Sequence, residues 1–428
     1  MGDASHDRQS HLTRRGFLLG AGGLAAGAAL AAPDSRGAPT NARAAPGTTG
    51  GDVVPFYGAH QPGVTTAPQR HSYFAAFDVQ AEQRSDLVSL LKRWTALAAD
   101  LCAGHPVNGA AQAGGGVDGG EARGLGPDRL SVNFGLGPSL FGVNAVDRFG
   151  LRGKWPMALV EVPVFAGEQI SPSRRDGDLT VHACAEDPQV VFHAVHQLAA
   201  AAAGAAIVRW AQAGFNESAA TNGTPRNLMG FKDGTVNPRA PSQLDQFVWV
   251  DGGQDQEWMT GGTYMVVRRI RMRLGRWGTL SVEAQERVIG RHKASGAPLG
   301  EQREFAPLDL QAMRPDGKPV IPLNAHVRLA SAAANWGQMM LRRSYAYNDG
   351  VATLDIDQVP TSATDSLDAG LLFCAYQQDP RLAFIPIFAN LSQGDALGRF
   401  TVHTASAVAA LPPGAQRPGE WVGQSLLG

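Results

Sequence analysis

The sequence predicts an α+β protein built from two similar halves, and three observations carry that prediction. Apolar strand-like runs are interleaved with amphipathic helical runs in both halves. A polar connection over residues 213–229 separates the halves, and 428 residues are ample for two cores. Hydrophobic residues at 44% and charged residues at 18% give an ordinary globular balance. A net charge of −1, from 37 basic and 38 acidic residues, gives no reason to expect nucleic acid or an anionic membrane as partner.

The first half opens with Tyr73, Phe74, Ala76, Phe77 and Val79, which predict a largely buried strand over 71–79. Leu87, Leu90, Leu91, Trp94 and Leu97 then recur at helical spacing and predict a helix over 81–102. Residues 104–128 are glycine-rich and too poor in apolar residues to add core. Strands follow at 130–134 and 178–184, and a long helix over 188–212 closes the half. The order β-α-β-β-α approaches a ferredoxin-like unit. The second half predicts strands near 247–250 and 263–272, a helix near 282–291, strands at 340–347 and 371–376, and a short helix after Pro380.

Before all this comes an address. Thr13-Arg14-Arg15-Gly16-Phe17-Leu18 precedes an alanine- and glycine-rich apolar run to Ala32, the pattern of a bacterial twin-arginine export signal. Ala29-Leu30-Ala31 and Ala42-Arg43-Ala44 are candidate cleavage sites, and residues 33–53 read as a flexible leader. The apolar run is too short and glycine-rich for a membrane span. Gly20-Ala21-Gly22-Gly23-Leu24-Ala25 mimics a dinucleotide-binding fingerprint, but no strand precedes it and no βαβ unit surrounds it. Twin-arginine export moves folded proteins, which suits a chain that takes up a cofactor in the cytoplasm. It also fits only three cysteines, Cys102, Cys184 and Cys374, with no close pair for a disulfide or metal site.

Candidate chemistry falls on few residues. His193 and His196 stand i, i+3 on a predicted helix and could share a metal, but no third ligand lies nearby in sequence, so they read as surface residues. His182 alternates within a strand and reads as half-buried and structural. His326 is a lone histidine among apolar residues in Pro322-Leu323-Asn324-Ala325-His326-Val327-Arg328-Leu329-Ala330, an environment that suits a haem-iron ligand or a satisfied core histidine. Asp233 lies in Gly230-Phe231-Lys232-Asp233-Gly234-Thr235-Val236-Asn237-Pro238, a tight path that either aims a carboxylate into a pocket or forms a plain Asx-type turn. Arg342 and Arg343 are strand neighbours, so only one of them points into any given pocket.

Three motifs occur in order: Gly-x-x-Asp-Gly at 230–234, Ala-His-Val-Arg-Leu-Ala at 325–330 and Leu-Arg-Arg-x-Tyr at 341–345. With Pro55-Phe56-Tyr57-Gly58, Gln61-Pro62-Gly63-Val64 and the run 178–193, they resemble the Dyp-type haem peroxidases, in their exported deferrochelatase/peroxidase branch. The resemblance implies two ferredoxin-like domains in a dimeric α+β barrel-like fold with strands stacked around a haem pocket. The signal and leader would occupy 1–44, the first domain 52–218 and the second, haem-binding domain 219–428. It implies haem b, held noncovalently since there is no Cys-x-x-Cys-His, with His326 as iron ligand. Asp379 would accept the other imidazole N–H, and Arg328 would contact a propionate. Asp233 would move a proton between the peroxide oxygens while Arg342 stabilises the developing charge. Hydrogen peroxide and dye or phenolic donors would be the substrates, and Tyr345, Tyr347 and Trp336 candidate electron relays or plain packing aromatics. The twin-arginine translocase, iron-uptake components and a second copy of the chain are the partners this resemblance allows. Release of iron from haem is the competing activity. The chain departs from the pattern at Ser331-Ala332-Ala333-Ala334, where relatives often read Asn-Pro-Arg.

Overall fold

The computed structural model describes residues 53–106, 118–142, 146–216, 223–253, 255–351 and 366–428. The twin-arginine segment and both candidate cleavage sites lie outside these residues. Among the described residues no helix is long and apolar enough to cross a membrane.

The first half runs β1 (His71–Val79), α1 (Arg84–Cys102), β2 (Ser131–Leu136), β3 (Leu179–Ala185), α2 (Pro188–Ala201) and β4 (Ala206–Phe215). Its strands pair antiparallel in the order β2-β3-β1-β4. Asp187 caps α2 by accepting the N–H groups of Gln189 and Val190, and Pro188 occupies the first turn, where a missing N–H costs nothing. The expected helix over 188–212 is corrected here. Its alanine run favours helix, but Gly204 turns the chain at φ +77°, and residues 206–215 form β4 with largely alternating burial.

The second half provides β5 (Thr263–Met272), β6 (Leu341–Arg342), β7 (Tyr345–Val351), β8 (Leu367–Gln377) and β9 (Thr401–Leu411). Between β5 and β6 lie α3 (Val282–Ile289) and α4 (His326–Leu329), and α5 (Phe384–Gly394) precedes β9. The main strands pair in the order β9-β5-β8-β7, which repeats the plan of the first half, and β6 adds to β8. Residues 248–250, expected as strand, instead follow a short helix, Pro241–Phe247. Proline at its first turn and a Gln243 side chain returned to the Ala240 N–H start a helix where apolar composition alone suggests strand.

Two seams close the halves into a ring, Leu136 opposite Ala410 and Phe215 opposite Ala346. Phe74, Ala76, Met265, Val267, Leu372, Cys374, Ala407 and Ala409 fill its interior, contributed by alternate residues from both halves. The outer face of the first half is covered by α1 and α2. Trp94 packs there between Phe77 and Phe134 and donates its indole N–H to Leu198 O at 2.8 Å, tying the helices together. The outer face of the second half is not covered in this way, and the site lies there.

Candidate active site

Ile270 and Met272 of β5 and Leu371 and Phe373 of β8 point away from the ring interior into a cavity of about 1010 Å³. A register shift in the β5–β9 pairing after Arg269 aims His403 to the same side. Phe384, Ile387, Phe388 and Leu391 of α5 form a second apolar wall. The charged and imidazole groups on its wall include His326, Asp395, Asp233, Arg342, Arg291, Arg399, Glu168, Lys232, Glu304 and His403. A large apolar wall with convergent polar groups suits a large ligand with an apolar body.

His326 begins the one-turn helix α4, which lies against the end of α3. Gly290 makes that approach feasible, because a Cβ at this left-handed position (φ +93°) would stand 2.5 Å from Val327 Cγ2. The Nδ1 of His326 lies 2.6 Å from Asp395 Oδ2. Asp395 is itself fixed, accepting the Leu397 N–H through Oδ1, and the next residue donates its N–H to Asn324 O. Burial pushes the imidazole down, but the Asp395 carboxylate outweighs it, and the His326 pKa lies above its ordinary value. Arg342, lowering it, and Asp233, raising it, add further effects and therefore lie within electrostatic reach.

Asp233 and Arg342 form the second couple, Oδ1 to a guanidinium nitrogen at 3.0 Å. The loop carrying Asp233 is held along its length. Lys232 and Thr235 bond Glu304, Arg226 donates to Gly230 O at 2.8 Å, and the Asp233 N–H donates to Pro225 O at 2.8 Å. Asn237 then clasps β6: its amide donates to Arg342 O at 2.7 Å and its oxygen accepts the Arg342 N–H at 3.2 Å. A second space of about 20 Å³, room for one water, is bordered by Asp233, Arg342, Asn216 and Ser344. Arg343 points the other way, buried, and donates to Thr66 O and Gln69 Oε1, as strand alternation requires.

Two expected contacts are corrected by this geometry. Asp379 does not meet His326: its carboxylate binds Arg381 at 2.6 Å and the carbonyl of the same residue accepts the Ala383 N–H. Arg328 does not line the cavity. Its guanidinium is spent on the carbonyls of Leu310, Ile321 and Pro322. The cavity arginines are instead Arg291, Arg342 and Arg399, and Arg291 already donates to Gly296 O and Glu304 O. Sequence reasoning missed Asp395 because 69 residues separate it from its partner. Its one local signal was an aspartate at the end of an apolar helix. Tyr345 and Tyr347 are fully buried, whereas Trp336 is 84% exposed beside cavity-lining residues. His182 is fully buried rather than half-buried, its Nδ1 2.8 Å from Tyr376 Oη, and all three cysteines are buried and free.

A cavity of this size carries an imidazole–carboxylate couple and a carboxylate–guanidinium couple on its wall. Models of the Dyp-type peroxidase N-terminal and C-terminal domains match residues 61–216 and 224–416. The chain belongs to the Dyp-type peroxidase family and is an enzyme of that class. A dye-decolorizing peroxidase from Thermobifida fusca is 39% identical over 441 residues, covering 97% of this chain and 97% of its own length. A deferrochelatase from Yersinia pestis is 35% identical over 386 residues, covering 87% and 84%. Among solved structures, ferric DtpA from Streptomyces lividans superposes with a TM-score of 0.79 at 40% identity, over 88% of this chain and 97% of that one.

Proposed function

We propose that the chain binds haem b noncovalently in the large cavity, with His326 as iron ligand, and reduces hydrogen peroxide while oxidising dyes, phenols or similar organic donors. The observation that carries this reading is the donor set. With Nδ1–H directed at Asp395, the Nε2 lone pair of His326 is left for a metal, and apolar walls surround it. Haem in this place would supply the redox chemistry, taking up oxidising equivalents from peroxide and passing them to donors. The protein's own residues would do the rest. Asp395 keeps His326 in one tautomer and orientation and makes it a stronger electron donor. Asp233 accepts a proton from one peroxide oxygen and delivers it to the other, so one carboxylate serves as base and then as acid. Arg342, permanently cationic, stabilises the negative charge that grows as the O–O bond breaks. The apolar walls exclude water from the remainder of the cavity.

His326→Ala and Asp233→Asn test this together. His326→Ala is expected to lose haem or its Soret band. Asp233→Asn is expected to keep haem but react with peroxide about a hundredfold more slowly in stopped-flow mixing. Full haem content with an unchanged imidazole-type spectrum in the first variant would remove the ligand assignment. An undiminished peroxide rate in the second would leave Arg342 as the main polar group. Iron release from haem is the second reading, favoured by the relatives named deferrochelatase. Metal-free porphyrin accumulating without peroxide would support it over peroxidase turnover. Arg14 and Arg15 support export by the twin-arginine translocase to the periplasm or beyond.

A further inference from the structure

Away from the large cavity, α2 places His193 and His196 one turn apart, and the glycine-rich segment before β2 brings Asp118 and Glu121 to them. The third ligand that the sequence did not offer is supplied by the fold. Glu121 spans both imidazoles, with one carboxylate oxygen 2.8 Å from His193 Nδ1 and the other 2.8 Å from His196 Nδ1. The carboxylates are pre-placed: Gln189 of α2 donates to Glu121 O at 3.0 Å, and Asp118 accepts the Gly120 N–H at 2.8 Å.

His193 is only 6% exposed. If its Nδ1–H is donated to Glu121, its Nε2 carries a lone pair, and that lone pair faces Asp118 Oδ1 at 3.8 Å. Two acceptors facing each other at this distance make no hydrogen bond. A second proton on His193, a water donating to both, or a cation would reconcile them. Asp118, Glu121 and His193 each offer a ligand atom, all within 4.8 Å of one another, and His196 stands beside them. Imidazole nitrogens with carboxylate oxygens are the donor set that zinc and its first-row divalent neighbours take.

We propose that Asp118 and His193 Nε2, with Glu121 orienting both imidazoles through their Nδ1–H groups and His196 beside them, form a structural site for a divalent transition cation of the zinc type. The cation fastens residues 118–124 to α2, and none of the four residues lines the large cavity.

Asp118→Asn separates a cation from a proton, because the two predict opposite signs. An amide can donate to His193 Nε2, so without metal the variant holds the segment at least as well as the native carboxylate. A cation loses a charged ligand. The holoprotein, stripped with EDTA and titrated with Zn²⁺ by calorimetry, is expected to bind one equivalent and to melt at a higher temperature when loaded. Asp118→Asn is expected to melt no lower than the parent in EDTA and to bind Zn²⁺ at least roughly tenfold more weakly. Glu121→Gln is the second variant, with the same loss of affinity and an unchanged Soret band. The proposal is overturned if the parent shows no saturable Zn²⁺ binding, or if both variants bind Zn²⁺ as the parent does. A lowered melting temperature of Asp118→Asn in EDTA, with no zinc effect on the parent, would assign the contact to a doubly protonated His193.

Discussion

Asp395 decides what kind of imidazole His326 is. Its carboxylate holds the His326 pKa above the ordinary value against the pull of burial, so replacing it with Asn removes the main opposition to burial while keeping an oxygen in hydrogen-bonding position. Asp395→Asn should therefore retain haem but react with peroxide about ten- to a hundredfold more slowly, with a more positive iron potential. Stopped-flow mixing and spectroelectrochemistry read the two effects, and neither moving would deny Asp395 its orienting role. Asp176 makes the opposite case, a carboxyl that costs stability. Burial pushes its pKa up to about 6 from an ordinary 3.8, only partly offset by the Val408 N–H it accepts. Because the folded state holds this proton more tightly than the unfolded chain, the protein gains stability as pH falls from above 6 towards 3.8. At pH 8 the charged form costs about 3 kcal/mol. Asp176→Asn keeps the acceptor oxygen and tolerates the left-handed φ of 52° at this position. It should melt a few degrees higher than the parent at pH 8 and no higher at pH 4. Equal melting temperatures at pH 8 would refute this.

Among the elements, the loop 230–238 and β6 behave as one unit because Asn237 bonds both backbone groups of Arg342. Asn237→Ala frees those groups while leaving the side chains of the Asp233–Arg342 couple unaltered. Its expected signature is a peroxide reaction slowed by roughly tenfold at unchanged haem content, because small misplacements of charged groups weaken their effect on a transition state. An unaltered rate would mean that Lys232, Thr235 and Arg226 hold the loop unaided. Which elements were legible in sequence follows from how local their signals are. The strand over 71–79 and the helix around Trp94 announce themselves by spacing, and the Gly-x-x-Asp-Gly loop by composition. β4 was hidden in an alanine-rich continuation of α2, because helix propensity reads straight through Gly204. β9, rich in alanine, was overlooked because small residues suit a crowded ring interior rather than a recognisable strand pattern. Asp395, the partner of His326, and Glu121, the partner of His193, both meet their histidines only through folding, and no spacing rule links them.

At the scale of the whole molecule, two sheets of the same strand order meet at two seams, each a single pair of residues long. The proposed N-terminal address belongs to this scale too, because twin-arginine export acts on a protein that is already folded. Replacing Arg14 and Arg15 by Lys should leave the protein in the cytoplasm with normal haem content, measurable by fractionation. Normal export of that double variant would point to another route. The repeat of one strand order has a further meaning for the site. In the first half, the link between the first and second strands is the 19-residue helix α1, which lies flat on the sheet and seals it with Trp94. In the second half, the corresponding link from β5 to β7 is a chain of short helices, loops and the added β6 that arches over the sheet instead. The large cavity is, in effect, the bed of an absent helix. One copy of the plan lays its helix on the sheet as a foundation, and the other lifts its link away and encloses a room.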